Sequence, residues 1–579
     1  MAKRGGGKKD DGRRGQGSRG GKPDDADARS EGYQGGHDGS GDAGDGGGTR
    51  PDYEGQSDVD EYADQSGRTD GEHKPALYGR QGHADSTAAA PRTTEQLVAG
   101  ATSAHGIGYG RREARGHGYE LRGLGYIPVS RLHEGRFGRM FRLPPFVPTD
   151  ARIAEIADLM AEAPGFDPAL DNPDIPAGYT YLGQFIDHDI TFDPVSSLDR
   201  QNDPDALNNF RTPRFDLDSL YGRGPADDPF LYDLDSGHRK LLVDRHDNED
   251  DLPRNNQETA LVGDPRNDEN IFVAALQITM LKFHNAVVDM VTADPTLRNG
   301  SETEFEAAQR IVRWHYQWAV AHDFVRRSCG QAMLGQVLNE TGPIPKVHRE
   351  VFQWKYYPYM PVEFSVAAYR FGHSQIRGQY KLNTTVPRLP IFTPGPIRDD
   401  RLGSFGGFRT LPPSWTIEWA RLFEVSGAGQ GERQQTRLID SVLARPLIEL
   451  PPDVGGDRPS LVIRNLTRGA RLLLPSGQDV AGHMGVVPLS DGDLGLPGGG
   501  PSPLWYYVLK EAEVQTSGRH LGEVGGRIVA EVLLGLLEAD PSSYLRLQPS
   551  WKPFLPSTTS GDFTIADLIA FSGHGLGQT

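Results

Sequence analysis

The sequence predicts a mainly α-helical protein: one large helical domain with long loops and few short strands, behind a disordered Gly-rich tail. Three observations carry this. Segments with apolar residues at helical spacing recur from about residue 150 onward. Strictly alternating runs, the mark of half-buried strands, are sparse and short. The first 50 residues contain no Val, Ile, Leu, Phe or Trp.

Residues 1–95 form the expected tail. Gly, Asp, Arg and Lys dominate its start, so it cannot bury enough apolar area to offset the entropy of ordering. Its Gly/Asp run at 35–48 lacks the apolar position that stacked calcium repeats need, and reads as spacer. Residues 96–579 are then one domain. Residues 139–148 read as an extended arm, and 151–162 as a helix with acids on its outer face. A turn cluster at 171–178 leads into the central stretch, Tyr181 to Asp193. Long buried helices are expected at 267–290 and 303–328, the latter with Trp314, Trp318 and Phe324 on apolar positions. Further helices are expected at 361–377, 434–447, 461–473, 503–515 and 521–538.

Composition excludes several function classes. A net charge of -18 argues against nucleic-acid binding, which needs an excess of Lys and Arg. The single cysteine, Cys329, rules out an internal disulfide and any cysteine-based zinc site. Its basic flank allows a reactive thiolate, but a buried small side chain is the plainer reading. No run of about 18 apolar residues occurs, so no membrane span is expected. The N-terminus lacks a signal-type apolar stretch, which implies a cytoplasmic protein or export by another route.

Five short constellations carry candidate chemistry. In G-Q-F-I-D-H-D, helical spacing puts Gln184 and His188 on one face, with Asp187 and Asp189 flanking. In T-P-R-F-D-L-D, Thr212, Asp216 and Asp218 offer hard oxygens of the kind calcium takes, although an exposed acidic turn has the same composition. D-P-R-N-D-E places Arg266 and Glu269 at a helix start, where acids also serve as ordinary caps. R-F-G-H ends in His373, and R-N-L-T-R-G sets Asn465 in an apolar stretch. A buried amide there needs partners, and its carbonyl can accept from an imidazole N–H.

In this order, over roughly residues 120–570, the motifs resemble the animal-type haem peroxidases (the peroxidase–cyclooxygenase superfamily), and in particular its bacterial branch. The resemblance implies a haem b cofactor and a calcium ion. It makes His188 the distal histidine, Gln184 the distal amide and Arg266 the distal arginine. His373 becomes the proximal iron ligand, with Asn465 on its other nitrogen. Asp187 and Glu269 become ester links to the haem. Asp189, Thr212, the Arg214 carbonyl, Asp216 and Asp218 become the calcium ligands. The implied partners are hydrogen peroxide and small anions (iodide, bromide, thiocyanate) or phenols, acted on by a monomer.

Two departures bear on substrate. Asn270 follows Glu269 where myeloperoxidase-like enzymes carry a haem-bonded methionine, which counts against strong chloride oxidation. Arg370 stands where fatty-acid oxygenases place a radical tyrosine, and Tyr369, one residue away, should face elsewhere. The alternatives are a fatty-acid dioxygenase on the same scaffold, or a silent haem- or calcium-binding adhesion protein.

Overall fold

The computed structural model describes residues 135–576, apart from 164–166, 193–197, 199–200, 204–206, 208, 244–247, 249, 356 and 426–431. The expected tail lies outside the described residues, which all belong to one compact unit, Ala88–Thr579. The fold is mainly α. Its principal helices are α1 (Asp150–Leu159), α2 (Gly178–Ile190), α3 (Ile271–Ala293), α4 (Glu304–Ala319), α5 (Val325–Cys329) and α6 (Gln331–Val337). They continue with α7 (Leu461–Arg471), α8 (Gly477–His483), α9 (Leu504–Thr516), α10 (Glu523–Ala539) and α11 (Ile565–Ser572).

The middle of the molecule is α3. Its residues are apolar nearly all round, so it cannot sit at a surface. Asn270 starts it by accepting from the N–H groups of Phe272 and Val273. Around it pack α2, α4 and α11. By length and composition α3 could cross a membrane, but most of it is buried inside the protein.

Strands are minor and pair two by two. The longest, Asp171–Pro176, lies antiparallel to Gln435–Arg437 with a shift of register. This corrects two expectations: 171–178 is more strand than turn, and 434–447 is not a helix. The second segment threads between other elements and donates its N–H groups to them: Leu438 to Leu170, Ile439 to Gly518 and Leu443 to Met160. Backbone committed in that way cannot close helical bonds, and Pro446 would break the helix regardless.

Two more expected helices are modified. Residues 361–377 hold only a single turn, Val362–Ser365, and a 3-10 stretch, Ala368–His373. The helix expected over 303–328 switches to a π turn at Val320–Phe324 before resuming as α5. Asp323 inside that turn accepts from the Tyr179 hydroxyl at 2.6 Å, from Arg327, and from the backbone of Ile565 at the start of α11. Three elements meeting on one carboxylate give the wider turn a reason to form. Cys329 is buried, and burial drives its thiol well above the ordinary value, so it is an inert core residue.

The chain enters α2 through Gly178, whose N–H donates to Leu422 O. A Cβ there would lie 2.3 Å from the ring of Phe423, which is fully buried. Gly178→Ala is expected to cost about 1–3 kcal/mol of stability through overpacking. Urea unfolding checks this, and an unchanged midpoint would show that the ring yields freely.

Candidate active site

Helix α2 divides its functional residues between two faces. Tyr181, Leu182, Phe185, Ile186 and Ile190 are buried and hold the helix in the core. Gln184, Asp187 and His188, three and four residues apart, line a cavity of about 370 Å³. Asp189 is turned instead toward Asp216 and Asp218. Of the residues singled out in the sequence, Arg266, Glu269, His373 and Asn465 line the same cavity, although they come from three further elements. Ile391, Phe392, Leu447, Leu450, Val454 and Leu461 give it an apolar lining, and Arg464 and Arg468 add charge.

Arg266 sits on the 3-10 turn Pro265–Asp268, which Asp264 caps by accepting from the Arg266 N–H. Its guanidinium bonds the Asp264 carboxylate and donates to the carbonyls of His188 and Thr191 at 3.1 and 2.6 Å. A cation thereby closes the C-terminal end of α2, where the last carbonyls lack helical partners. The guanidinium also lies over the ring of Phe192, 4.6 Å from the centroid. The turn is backed by residues 406–408: Gly407 N donates to Glu269 O and Phe408 N to Asp268 O.

His188 is 4% exposed and its Nδ1 lies 2.7 Å from Asn267 Oδ1. Burial, reinforced by Arg266, lowers its pKa to about 3, so the ring is neutral at working pH. Asp187 and Glu269 are shielded from bulk water yet keep part of their surface open to the cavity. Burial raises both, Glu269 to about 7, against the pull of Arg266. Thr191 Oγ1 donates to Asp187 at 2.8 Å, and Asn270 Nδ2 to Gln184 Oε1 at 2.9 Å.

The 3-10 stretch brings His373 and Arg370, three residues apart, to one side. Asn465 on α7 serves both: Arg370 donates to its Oδ1 at 2.9 Å, and its Nδ2 lies 2.8 Å from His373 Nδ1. Arginine can only donate, so the carbonyl faces Arg370 and the amide N–H faces His373. This reverses the expectation that the carbonyl would accept from the imidazole. Burial, then the charge of Arg370, lowers the pKa of His373 to about 3. Tyr369 also departs from expectation. It lines the cavity, with its hydroxyl donating to Gly183 O at 3.1 Å.

The second cluster is acidic. Carboxylate oxygens of Asp189, Asp216 and Asp218 lie within 4.8 Å of one another, all buried. Neither oxygen of Asp189 has a hydrogen-bond partner of normal geometry. Burial and the neighbouring acids raise Asp189, and burial raises Asp218 to about 7. Thr212 Oγ1 donates to Asp216, Arg214 is buried in the same loop, and Leu217 between the acids takes a left-handed backbone (φ 57°). The unpartnered carboxylate of Asp189, beside two further buried acids, fits a hard cation.

Residues 197–391 match the family model described as animal haem peroxidase. That span holds Thr212–Asp218, Arg266–Glu269 and His373, but not Gln184, Asp187, His188 or Asn465, which the fold brings to one cavity with Arg266, Glu269 and His373. Among solved structures, peroxidase A from Dictyostelium discoideum is similar at 15% identity and a TM-score of 0.55, over 78% of this chain and 96% of its own. The resemblance to the animal haem peroxidases holds. The fatty acid α-dioxygenase of Oryza sativa is similar at 16% identity and a TM-score of 0.46, over 72% of this chain and 80% of its own, a likeness too low to carry an argument. No curated protein matches the sequence. The peroxidase fold here carries residues that the motifs did not single out: Asn267, Asp264 and Thr191. Asp264 and Asn267 stood inside a quoted motif, but only the fold reveals what they touch.

Asp264 is fully buried and joins Arg266 to Arg211, which also pairs with Asp218 at 3.2 Å. Although burial would raise it, the bond and charge of Arg266 and the charge of Arg211 hold its carboxyl well below the usual range. Asp264→Ala removes the buried carboxylate that Arg266 and Arg211 share. The expected loss is about 3–5 kcal/mol, read by urea unfolding. A loss under about 1 kcal/mol, the surface-pair value, would overturn the central place given to this carboxylate.

Proposed function

We propose that the chain is a haem peroxidase that reduces hydrogen peroxide and oxidises iodide, bromide, thiocyanate or phenols. One observation carries the reading: two neutral histidines from different elements, an arginine and a glutamine share one apolar-lined cavity with two uncharged-tending acids. Haem suits that lining. His373 would hold the iron through Nε2, which requires its proton on Nδ1 and the Asn465 amide turned over so that its carbonyl accepts that proton; Arg464 and Arg468 would meet the propionates, and Asp187 and Glu269 would face the periphery. When bound, haem supplies a ferric iron with one open position for peroxide.

The protein's own residues account for the rest. Neutral His188 takes the proton from the attacking peroxide oxygen and returns it to the leaving oxygen, which departs as water. Arg266, always charged, stabilises negative charge as the O–O bond breaks. Gln184, oriented by Asn270, offers an amide to water or an anion. Asp187 and Glu269 would hold the haem periphery as esters to its methyl carbons, each link a two-electron oxidation for which peroxide would be the oxidant.

A calcium ion held by Asp189, Thr212, the Arg214 carbonyl, Asp216 and Asp218 would relieve the repulsion among the acids. Because Asp189 follows His188 directly, the ion would also steady the end of α2. A fatty-acid dioxygenase is the second reading, favoured by Tyr369 at the cavity. The bond of its hydroxyl to Gly183, and Arg370 at the neighbouring position, count against it. Oxygen uptake with an unsaturated fatty acid and no peroxide would revive it.

Haem-loaded protein should show a ferric Soret band that bleaches with peroxide and returns on adding iodide or thiocyanate, while His373→Ala takes up little haem. A wild type that binds no haem sinks the reading. After peroxide treatment, acid–acetone should leave haem on the polypeptide, and full extraction would remove the ester assignment. Calcium at 100 times its Kd should stabilise the fold by about 2.7 kcal/mol, seen as a higher Tm that EDTA reverses. Asp189→Asn should abolish the difference, and a Tm indifferent to both calcium and EDTA would exclude the ion.

A further inference from the structure

We propose that Asn267, braced by Gln277, sets the tautomer and aim of His188, so that Nε2 is presented as a bare proton acceptor. The proposal rests on the peroxidase reading of the cavity, and makes Asn267 a positioning residue rather than a catalytic one. The geometry is a buried relay. His188 Nδ1 is 2.7 Å from Asn267 Oδ1, and Asn267 Nδ2 donates to Gln277 Oε1 at 2.8 Å. Asn267 is 0% exposed and Gln277 1%, so water cannot substitute for either.

The amide ends have opposite roles, and that decides the outcome. With its N–H2 engaged on the Gln277 carbonyl, Asn267 offers the imidazole a carbonyl, which only accepts. His188 Nδ1 must therefore carry the ring's one proton, and Nε2 keeps its lone pair. A base that takes the peroxide proton needs that form. The opposite tautomer would present an N–H, which cannot accept.

The placement is rigid as well as polar. Asn267 belongs to the same 3-10 turn as Arg266, and Gln277 stands in α3, which that turn feeds. One short segment thus positions both the arginine and the brace of the histidine. Aspartate at 267 would add a buried anion beside the acidic residues already there. An apolar residue would strand the buried Nδ1–H.

The test uses the full-length chain with histidine 15N labelling, both haem-free and as the diamagnetic ferrous carbonyl form. Wild type should give the Nδ1-protonated pattern for His188. Asn267→Leu should shift the ring toward the other tautomer and lower kcat/KM for hydrogen peroxide by about 100-fold, with KM for the reducing anion unchanged. Gln277→Met leaves Asn267 and His188 in place and frees the amide to turn over. It should give a mixed signal and a fall of about tenfold, and it carries the test should Asn267→Leu not fold. An Nε2-protonated His188 in wild type would mean that both amides are reversed, and would overturn the proposal. So would variants that leave tautomer and peroxide rate unchanged. Failure to take up haem would instead remove the peroxidase reading, while the haem-free spectrum still decides the role of Asn267.

Discussion

The carboxylate of Asp264 is the contact on which the site depends. It holds Arg266 on one side and Arg211 on the other. Arg266 reaches the carbonyls that end α2, and Arg211 reaches Asp218 in the acidic loop. Three segments distant in sequence are thereby drawn to one buried charge. Such an ion group contributes little to net stability once the desolvation of its members is counted. What it secures is geometry, because each guanidinium is held to the carboxylate through two nitrogens at once.

The two histidines of the cavity are handled in opposite ways. Each has its Nδ1 on an asparagine, Asn267 for His188 and Asn465 for His373. In one case the amide carbonyl meets the ring, in the other the amide N–H does. The difference is traceable to the third partner, which is an acceptor in Gln277 and a donor in Arg370. Two rings of one chemical type thus meet opposite ends of the same kind of amide.

Much of this was legible in the sequence, and the rest was not for definable reasons. Helical spacing located α2 and correctly put Gln184 and His188 on one face, because period alone determines which side chains share a side. The mainly α class followed from the same signal. The stretch at 434–447 misled, since its apolar spacing suits a helix while its N–H groups go to Leu170, Gly518 and Met160, contacts no local pattern encodes. Tyr369 was expected to face elsewhere because it stands one residue off the position three before His373; that offset does not decide which side chains reach the cavity, where Tyr369 and Arg370 both stand. Asn267 and Asp264 stood in plain view beside Arg266. Their roles depend on His188 and Arg211, some 50 to 80 positions away.

The π turn at Val320–Phe324 has a consequence for comparing this chain with its relatives. A π turn accommodates one residue more than the α-helix around it. Downstream of Phe324, any residue-by-residue correspondence drawn through an uninterrupted helix is therefore out of step by one position. Deleting a single residue from this turn would restore a regular helix, at the expense of swinging Phe324 off the cavity and Asp323 off Tyr179.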